Sequence, residues 1–68
     1  MPVTTTLRQA EAAYHDARYW ARVTSTVRLR FAERRLRGRF GRLAQPERAY
    51  LAGLRDELRQ RGVEVAPL

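Results

Sequence analysis

The fold of this chain depends on residues 23–37, which read VTSTVRLRFAERRLR. From Val23 to Phe31 apolar and small residues alternate with polar ones, a period of two that is typical of a half-buried strand. The β-branched valines and threonines of this run also lower its helix propensity. In contrast, residues 32–37 are strong helix formers, and apolar residues recur at helical steps from residue 29 onward. This stripe consists of Leu29, Ala32, Leu36, Phe40 and Leu43. We therefore predict a helix here, with a strand at 23–31 in an α+β fold as the alternative.

A helix is also predicted upstream, where another apolar stripe follows the same spacing. Its members are Leu7, Ala10, Tyr14, Ala17, Ala21 and Thr24. Thr6 and Gln9 fit a capping box at its start, in which both side chains satisfy free backbone N–H groups. If this helix continues into the one predicted from the stripe that begins at Leu29, the two make a single helix at about 6–37 with a length of about 48 Å. The two stripes are rotated relative to each other, so the buried face of this helix would turn near residues 23–28. The helix would also overhang a compact domain of this length, which has a radius of gyration of about 11 Å. It therefore either bends near residues 23–28 or is partly covered by a second chain.

A second, shorter helix is predicted at about 46–61. Pro46 followed by Glu47 is typical of a helix start. The apolar face of this helix consists of Tyr50, Leu51, Leu54 and Leu58. Gly62 is placed to end it in a Schellman cap, and residues 62–68 form an extended tail. The sequence thus predicts an all-α helical hairpin within one domain at 1–68, in which a long first helix packs antiparallel on a shorter second one.

The size of the chain predicts that it associates with copies of itself. A chain of 68 residues buries only about 60% of the surface that its unfolded form exposes. A core this small seldom supplies more than about 3–5 kcal/mol of stability. The sequence has no cysteine and one histidine, so neither a disulfide nor a closed zinc site adds to the core. We therefore predict a homo-oligomer that dimerises through the alanine-rich and leucine-rich stripes.

Few residues of the sequence could support catalysis. A hydroxyl nucleophile with a histidine base would need Ser25 and His15, which are ten residues apart, or about 15 Å along a helix. Glu11 and His15 share a helix face but provide too few ligands to hold a metal ion. The sequence also lacks a glycine-rich phosphate-binding loop. We predict that the protein is not an enzyme and uses no cofactor and no metal.

Positive charge is concentrated in residues 28–42, which we call the arginine segment. The chain has a formal net charge of +7, and all 14 of its basic residues are arginine. The segment contains one acid, Glu33, and seven of these arginines: Arg28, Arg30, Arg34, Arg35, Arg37, Arg39 and Arg42. On a helix they gather on two sides, as in a basic amphipathic helix. A further row on the second helix extends the basic surface and consists of Arg48, Arg55 and Arg59.

A basic surface of this kind indicates a polyanionic partner. Our first prediction is that these arginines contact the phosphate backbone of nucleic acid. Sequence readout is not expected, because no base-reading set of Asn, Gln and Arg is present. The alternative is a protein-interaction, assembly or regulatory module whose basic face docks an acidic partner surface. Tyr19 and Trp20 lie off the apolar stripe of the first helix and are candidate interface residues.

The location of the protein in the cell is predicted from what the sequence lacks. Residues 1–6, MPVTTT, have neither the basic region nor the apolar region of a signal peptide. No window of the sequence approaches the ~20 apolar residues of a membrane span. We therefore expect a cytoplasmic protein.

Overall fold

Three helices and a short 3₁₀ turn form the fold in the computed structural model, which describes the backbone of residues 2–68 and the side chains of residues 7–68. Helix α1 spans Pro2–Arg22, α2 spans Thr26–Arg37 and α3 spans Gln45–Gln60, and the 3₁₀ turn lies at Phe40–Arg42. No strand occurs within residues 2–68. The predicted all-α class is therefore confirmed, and the alternative strand at 23–31 is wrong.

The predicted continuous helix at 6–37 is also wrong, because the chain leaves the helical conformation at residues 23–25. Hydroxyl side chains stabilise this break. Thr24 Oγ1 donates a hydrogen bond of 2.6 Å to the carbonyl four residues earlier. Ser25 is the N-cap of α2, and its Oγ accepts a hydrogen bond of 3.3 Å from the Arg28 N–H. Serine and threonine thus end one helix and start the next, so the period-two pattern marks a junction between helices.

The first helix starts earlier than the sequence predicts. It begins at Pro2, whereas the predicted start was a capping box of Thr6 and Gln9. The side chain of Thr6 lies outside the described residues.

Helix α3 has well-formed ends. Near its start, Glu47 Oε1 accepts a hydrogen bond of 2.8 Å from the Ala44 N–H. At its end, Gly62 adopts a positive φ of 81°, and the Val63 N–H donates a hydrogen bond of 2.9 Å to the Leu58 carbonyl. This is the predicted Schellman cap, which needs a residue that tolerates the left-handed conformation.

The core lies where α1 and α2 pack on α3. Its fully buried side chains are Ala17, Ala21, Leu29, Leu51, Leu54 and Leu58. The two helices α1 and α3 come close together at Gly53 of α3, where an added Cβ atom would lie 2.7 Å from the Ala17 Cβ and 2.9 Å from the Tyr14 carbonyl oxygen. A glycine facing an alanine therefore sets the spacing between α1 and α3.

The order of side-chain contacts shows that α1 and α3 run in the same direction. Tyr14 Oη donates a hydrogen bond of 2.6 Å to Asp56 Oδ2. One turn further along each helix, Arg18 Nη2 donates one of 2.6 Å to Gln60 Oε1. Residue numbers thus increase together along the two helices, which makes them parallel.

Helix α2 runs antiparallel to α3. Arg55 of α3 contacts Glu33 near the end of α2, whereas Arg61 contacts Thr26 at the start of α2. Three helices therefore replace the predicted two-helix hairpin, with α2 reversing the chain between the parallel pair.

Arg61 fixes the junction between α1 and α2. Its Nη2 donates hydrogen bonds to the carbonyls of Ala21, at 2.5 Å, and Thr24, at 2.9 Å. Its Nη1 donates one of 2.9 Å to Thr26 Oγ1, and its Nε pairs with Glu57 Oε2 at 3.0 Å. One side chain thus satisfies carbonyls at the end of α1 and holds the first residue of α2, which sets the direction in which α2 leaves the junction.

The stripes that were predicted to dimerise are largely covered within the chain, although Leu7 at the start of the alanine-rich stripe is 55% exposed. Ala17 and Ala21 of α1 are fully buried, as are the three leucines of α3 at positions 51, 54 and 58. The radius of gyration is 11.9 Å, close to the value of about 11 Å expected for a compact chain of this length. Most of the apolar surface on which the predicted association depended is therefore used within the chain, and the homo-oligomer stays a prediction.

Candidate binding surface

Six of the seven arginines in the arginine segment are exposed and form no salt bridge within residues 7–68. They are Arg28, Arg30, Arg34, Arg35, Arg39 and Arg42. The seventh, Arg37, pairs with Glu33 at 3.1 Å. Most of the positive charge that the sequence concentrates in this segment is thus exposed to solvent and is not paired with an acidic side chain among these residues.

The outer side of α2 also carries exposed apolar side chains. Val27 is 79% exposed and Phe31 is 62% exposed. At 100° per residue both lie about 160° around the helix from the buried Leu29, so neither can reach the core. Trp20 of α1, 38% exposed, lines the same groove as these two residues. These three side chains form an apolar strip that folding leaves in contact with water.

Arginines flank this apolar strip on both sides of α2. On one side are Arg28 and Arg35, and on the other are Arg30 and Arg34. Each lies within about 80°, around the helix axis, of the direction opposite the buried Leu29. Together they line a shallow groove of about 540 Å³. We call this surface the α2 face. It consists of Trp20, Val27, Arg28, Arg30, Phe31, Ala32, Arg34 and Arg35.

A second groove, which we call the inner groove, continues the α2 face inward between α1 and α2. It has a volume of about 230 Å³ and shares Trp20, Ala32 and Arg35 with the first groove. Its other lining residues include Leu36 of α2 and Tyr50 of α3. It exists because α1 and α2 both pack on α3 more than on each other. The resulting space is a largely apolar pocket at the edge of an arginine-lined surface.

The two candidate aromatic residues of α1 are placed differently. Trp20 lines both grooves, so it belongs to the α2 face. Tyr19 is 72% exposed and lies about 160° around α1 from the buried Ala21, which directs it away from the core. Only Trp20 is brought together with the arginine segment.

The predicted row on the second helix does not form a uniform basic surface. Arg55 is only 4% exposed. It donates hydrogen bonds of 2.7 Å to Glu33 Oε2 and 2.5 Å to the Ala66 carbonyl. Arg59 pairs with Asp56 at 3.0 Å. Arg55 is therefore an interior residue that joins α2, α3 and the C-terminal tail, and it is not available to a partner in this structure.

Arg48, the remaining member of the row, lies over an aromatic ring. Its guanidinium carbon is 4.6 Å from the centroid of the Phe40 ring, a cation–π arrangement. This contact covers one face of Phe40 and holds the 3₁₀ turn against the start of α3. The basic surface therefore centres on α2 and the turn that follows it.

Two tyrosines have perturbed titration. The hydrogen bond that Tyr14 donates to Asp56 is the main reason that its pKa is raised above 10.0, with burial and the negative charge of Asp56 adding to the effect. Burial, and then the charge of Asp16, raise the pKa of Tyr50. Both tyrosines are thus held in the neutral form, and Tyr50 presents an uncharged wall to the inner groove.

The residues considered for catalysis serve other purposes. Ser25 caps α2, and His15 lies on α1 with its ring nearly perpendicular to that of Tyr14, the centroids 5.7 Å apart. No group of three or more His, Cys, Asp or Glu side chains that could hold a metal ion occurs among the described residues. In the same part of the chain, no helix is long and apolar enough to cross a membrane.

Comparisons of the chain with models of protein families, with curated proteins and with solved structures found no match. We therefore infer the function of the chain from the chemistry of the α2 face.

The sequence interpretation missed Val27 and Phe31 as surface residues. They were counted in the alternating pattern of the alternative strand, where they would share a face with Leu29. In the helical interpretation, however, they belong to neither apolar stripe. An apolar pair four residues apart, outside the buried stripe and between arginines, is the signal that could have found them.

Proposed function

We propose that this chain is a small, non-enzymatic binding module whose α2 face docks an acidic surface of a partner protein. The observation that carries the proposal is the exposed apolar strip between two rows of unpaired arginines. Removing apolar surface from water contributes about 25 cal/mol per Å² to binding. The arginines contribute long-range attraction and select an acidic partner. The combination is typical of protein interfaces, in which aromatic and arginine side chains are enriched.

Binding to the phosphate backbone of nucleic acid is the second candidate function. It is supported by the arginines that continue past α2, because Arg39 and Arg42 are exposed beyond the apolar strip. Phosphate contacts would use these charges, but they would leave the aliphatic side chain of Val27 in water. The exposed valine and phenylalanine therefore favour the protein partner.

The two candidates are separated by capturing partners from cell extract with and without nuclease. The bait is the wild-type chain, and the test variant is Val27→Ser with Phe31→Ser. We expect an acidic protein that is retained after nuclease treatment and lost with the double variant. Val23→Ser is a matched control, because Val23 is 74% exposed but lies outside the α2 face.

Salt dependence gives an independent test of the nucleic-acid candidate. On duplex DNA the logarithm of affinity falls with the logarithm of salt concentration by about 0.9 per neutralised phosphate, so four or five engaged arginines imply a slope near −4. Retention that disappears with nuclease, together with such a slope and no effect of the Val27→Ser, Phe31→Ser variant, would establish nucleic acid as the partner.

A further inference from the structure

We infer that the partner segment is an amphipathic α-helix whose apolar stripe is flanked by acids on both edges and which lies along α2. This inference rests on the proposed function, in which the α2 face binds an acidic protein. It adds the secondary structure of the bound segment, its charge pattern and its place on the face.

The shape of the face favours one helix as its occupant. Val27 and Phe31 are one turn apart, about 6 Å along α2, and Arg28 and Arg35 are two turns apart, about 10.5 Å. On α2 the strip is thus narrow and parallel to the helix axis, which matches a helix packed at a spacing of 8–10 Å. An apolar seam with a row of charge on either side is also the arrangement of paired helices in coiled coils.

An extended peptide would find little to bind on this surface. Peptides that bind as strands use free backbone groups at the edge of a sheet. The residues described here contain no strand, and the backbone groups of α2 are used within the helix. Recognition on this face therefore depends on side chains, which is how amphipathic helices bind grooves.

The inner groove provides a position for a large apolar side chain of the partner. Trp20 forms one wall, and Leu36 and Tyr50 contribute to the rest. A leucine or phenylalanine on the bound helix would contact the indole ring there. Such a side chain would supply the aromatic or aliphatic anchor on which binding energy usually concentrates.

Charge excludes a second copy of this chain as the occupant. If two α2 faces paired, the arginines beside each apolar strip would meet arginines of the other copy. Like charges in such positions disfavour pairing, and each chain carries a net charge of +7. A helix with glutamate or aspartate beside its apolar stripe replaces this repulsion with attraction on both sides.

Three synthetic peptides of about 18 residues, each about 27 Å long as a helix, test the inference. The first places leucines at helical steps of three and four with glutamates on both edges of the leucine stripe. The second has the same composition, but its residue order spreads leucines and glutamates around the whole helix, so that it has no apolar face. The third keeps the leucine stripe and replaces every glutamate with glutamine. Because Trp20 is the single tryptophan of the chain, its fluorescence reports binding, and circular dichroism reports helix formation by the peptide.

We expect the first peptide to bind, to gain helix and to change the emission of Trp20. The permuted and the uncharged peptides should bind at least about tenfold more weakly, the loss that accompanies removal of one good anchor or charge pair. Phe31→Ser should weaken the first peptide to a similar degree, about tenfold. Val23→Ser, the matched control, should leave its affinity unchanged.

The outcomes separate the inference from the proposed function. Equal affinity for the first and second peptides would overturn the amphipathic helix and leave acidic-protein binding in place. The same holds for binding that Phe31→Ser does not affect. If no peptide binds while a duplex DNA of about two helical turns does, with the salt slope of a phosphate contact, both the inference and the proposed function fail. Absence of binding to all probes would likewise overturn the inference.

Discussion

Replacing Gly53 with alanine tests the close approach of α1 and α3. At an exposed position inside a helix this substitution stabilises by about 1 kcal/mol, because alanine has the higher helix propensity. At Gly53 the new methyl group would lie 2.7 Å from the Ala17 Cβ and 2.9 Å from the Tyr14 carbonyl oxygen. Carbon atoms prefer a separation of about 3.5–4.0 Å, so the two helices would have to move apart by about 1 Å.

The cost of this movement should exceed the gain in propensity. An alanine side chain and a backbone carbonyl cannot rotate away, so the strain falls on the helix positions. Overpacking of this kind costs about 1–3 kcal/mol and sometimes more. We expect the upper part of that range, and a net loss of about 2 kcal/mol after subtracting the propensity gain. In a domain of this size that lowers Tm by about 8–16 °C.

Thermal unfolding followed by far-ultraviolet circular dichroism measures this loss. Gly41→Ala is the matched control, because a Cβ atom there meets nothing within 4 Å and Tm should stay nearly constant. Adding Ala17→Gly to Gly53→Ala removes the 2.7 Å contact and should restore part of the loss. A Gly53→Ala protein with a Tm at or above that of the wild type would refute the close approach of α1 and α3.

Three further predictions concern the core and its buried polar contacts. Arg55→Ala leaves Glu33 paired only with the partly exposed Arg37, and the unfolding free energy should fall by about 3–5 kcal/mol, as is typical when a buried ion pair is broken. A loss below about 1 kcal/mol in urea unfolding would contradict the buried bridge. Leu54→Ala should cost about 2–5 kcal/mol, and a much smaller loss would mean that Leu54 is not in the core. The hydrogen bond to Asp56 is the main reason that the pKa of Tyr14 is raised in the folded chain. The stability that this bond contributes is therefore full below the unfolded pKa near 10 and is lost as pH rises through the folded pKa. Tyr14→Phe should therefore flatten the alkaline decline in unfolding free energy, while the raised pKa of Tyr50 leaves part of that decline. An unchanged pH profile would argue against the bond to Asp56.

The helical class was predictable because apolar residues at steps of three and four persist through most of the chain. The break between α1 and α2 was not predictable from the sequence. The same valine, threonine and serine residues fit the alternating pattern of a strand, and the hydroxyl residues among them can also cap helices. At Thr24 and Ser25 the capping hydrogen bonds decide between these possibilities. Such bonds depend on the local backbone and leave no periodic signal. Without that break, the packing of three helices could not be inferred from the stripes.

The candidate site was predicted in part. The arginine segment could be located from charge alone, but the state of each arginine depends on its neighbours in the fold. Arg55 shows this, because helix spacing groups it with exposed residues, whereas the packing of α2 on α3 and the return of the tail bury it beside Glu33. Gly53 was missed for a related reason, since a glycine inside a helix has a packing role only when its partner helix is known.

The α2 face contributes little to the stability of the free chain. Val27 and Phe31 are exposed after folding, so most of their apolar surface gains nothing from it, and arginines without acidic partners repel one another. Both effects reverse when an acidic, partly apolar partner covers the face, because the strip leaves water and repulsion is replaced by attraction. A helix that was only a solvated basic surface would need the arginines but not the exposed phenylalanine between them. For this reason Phe31, more than any single arginine, distinguishes a protein partner from a phosphate backbone.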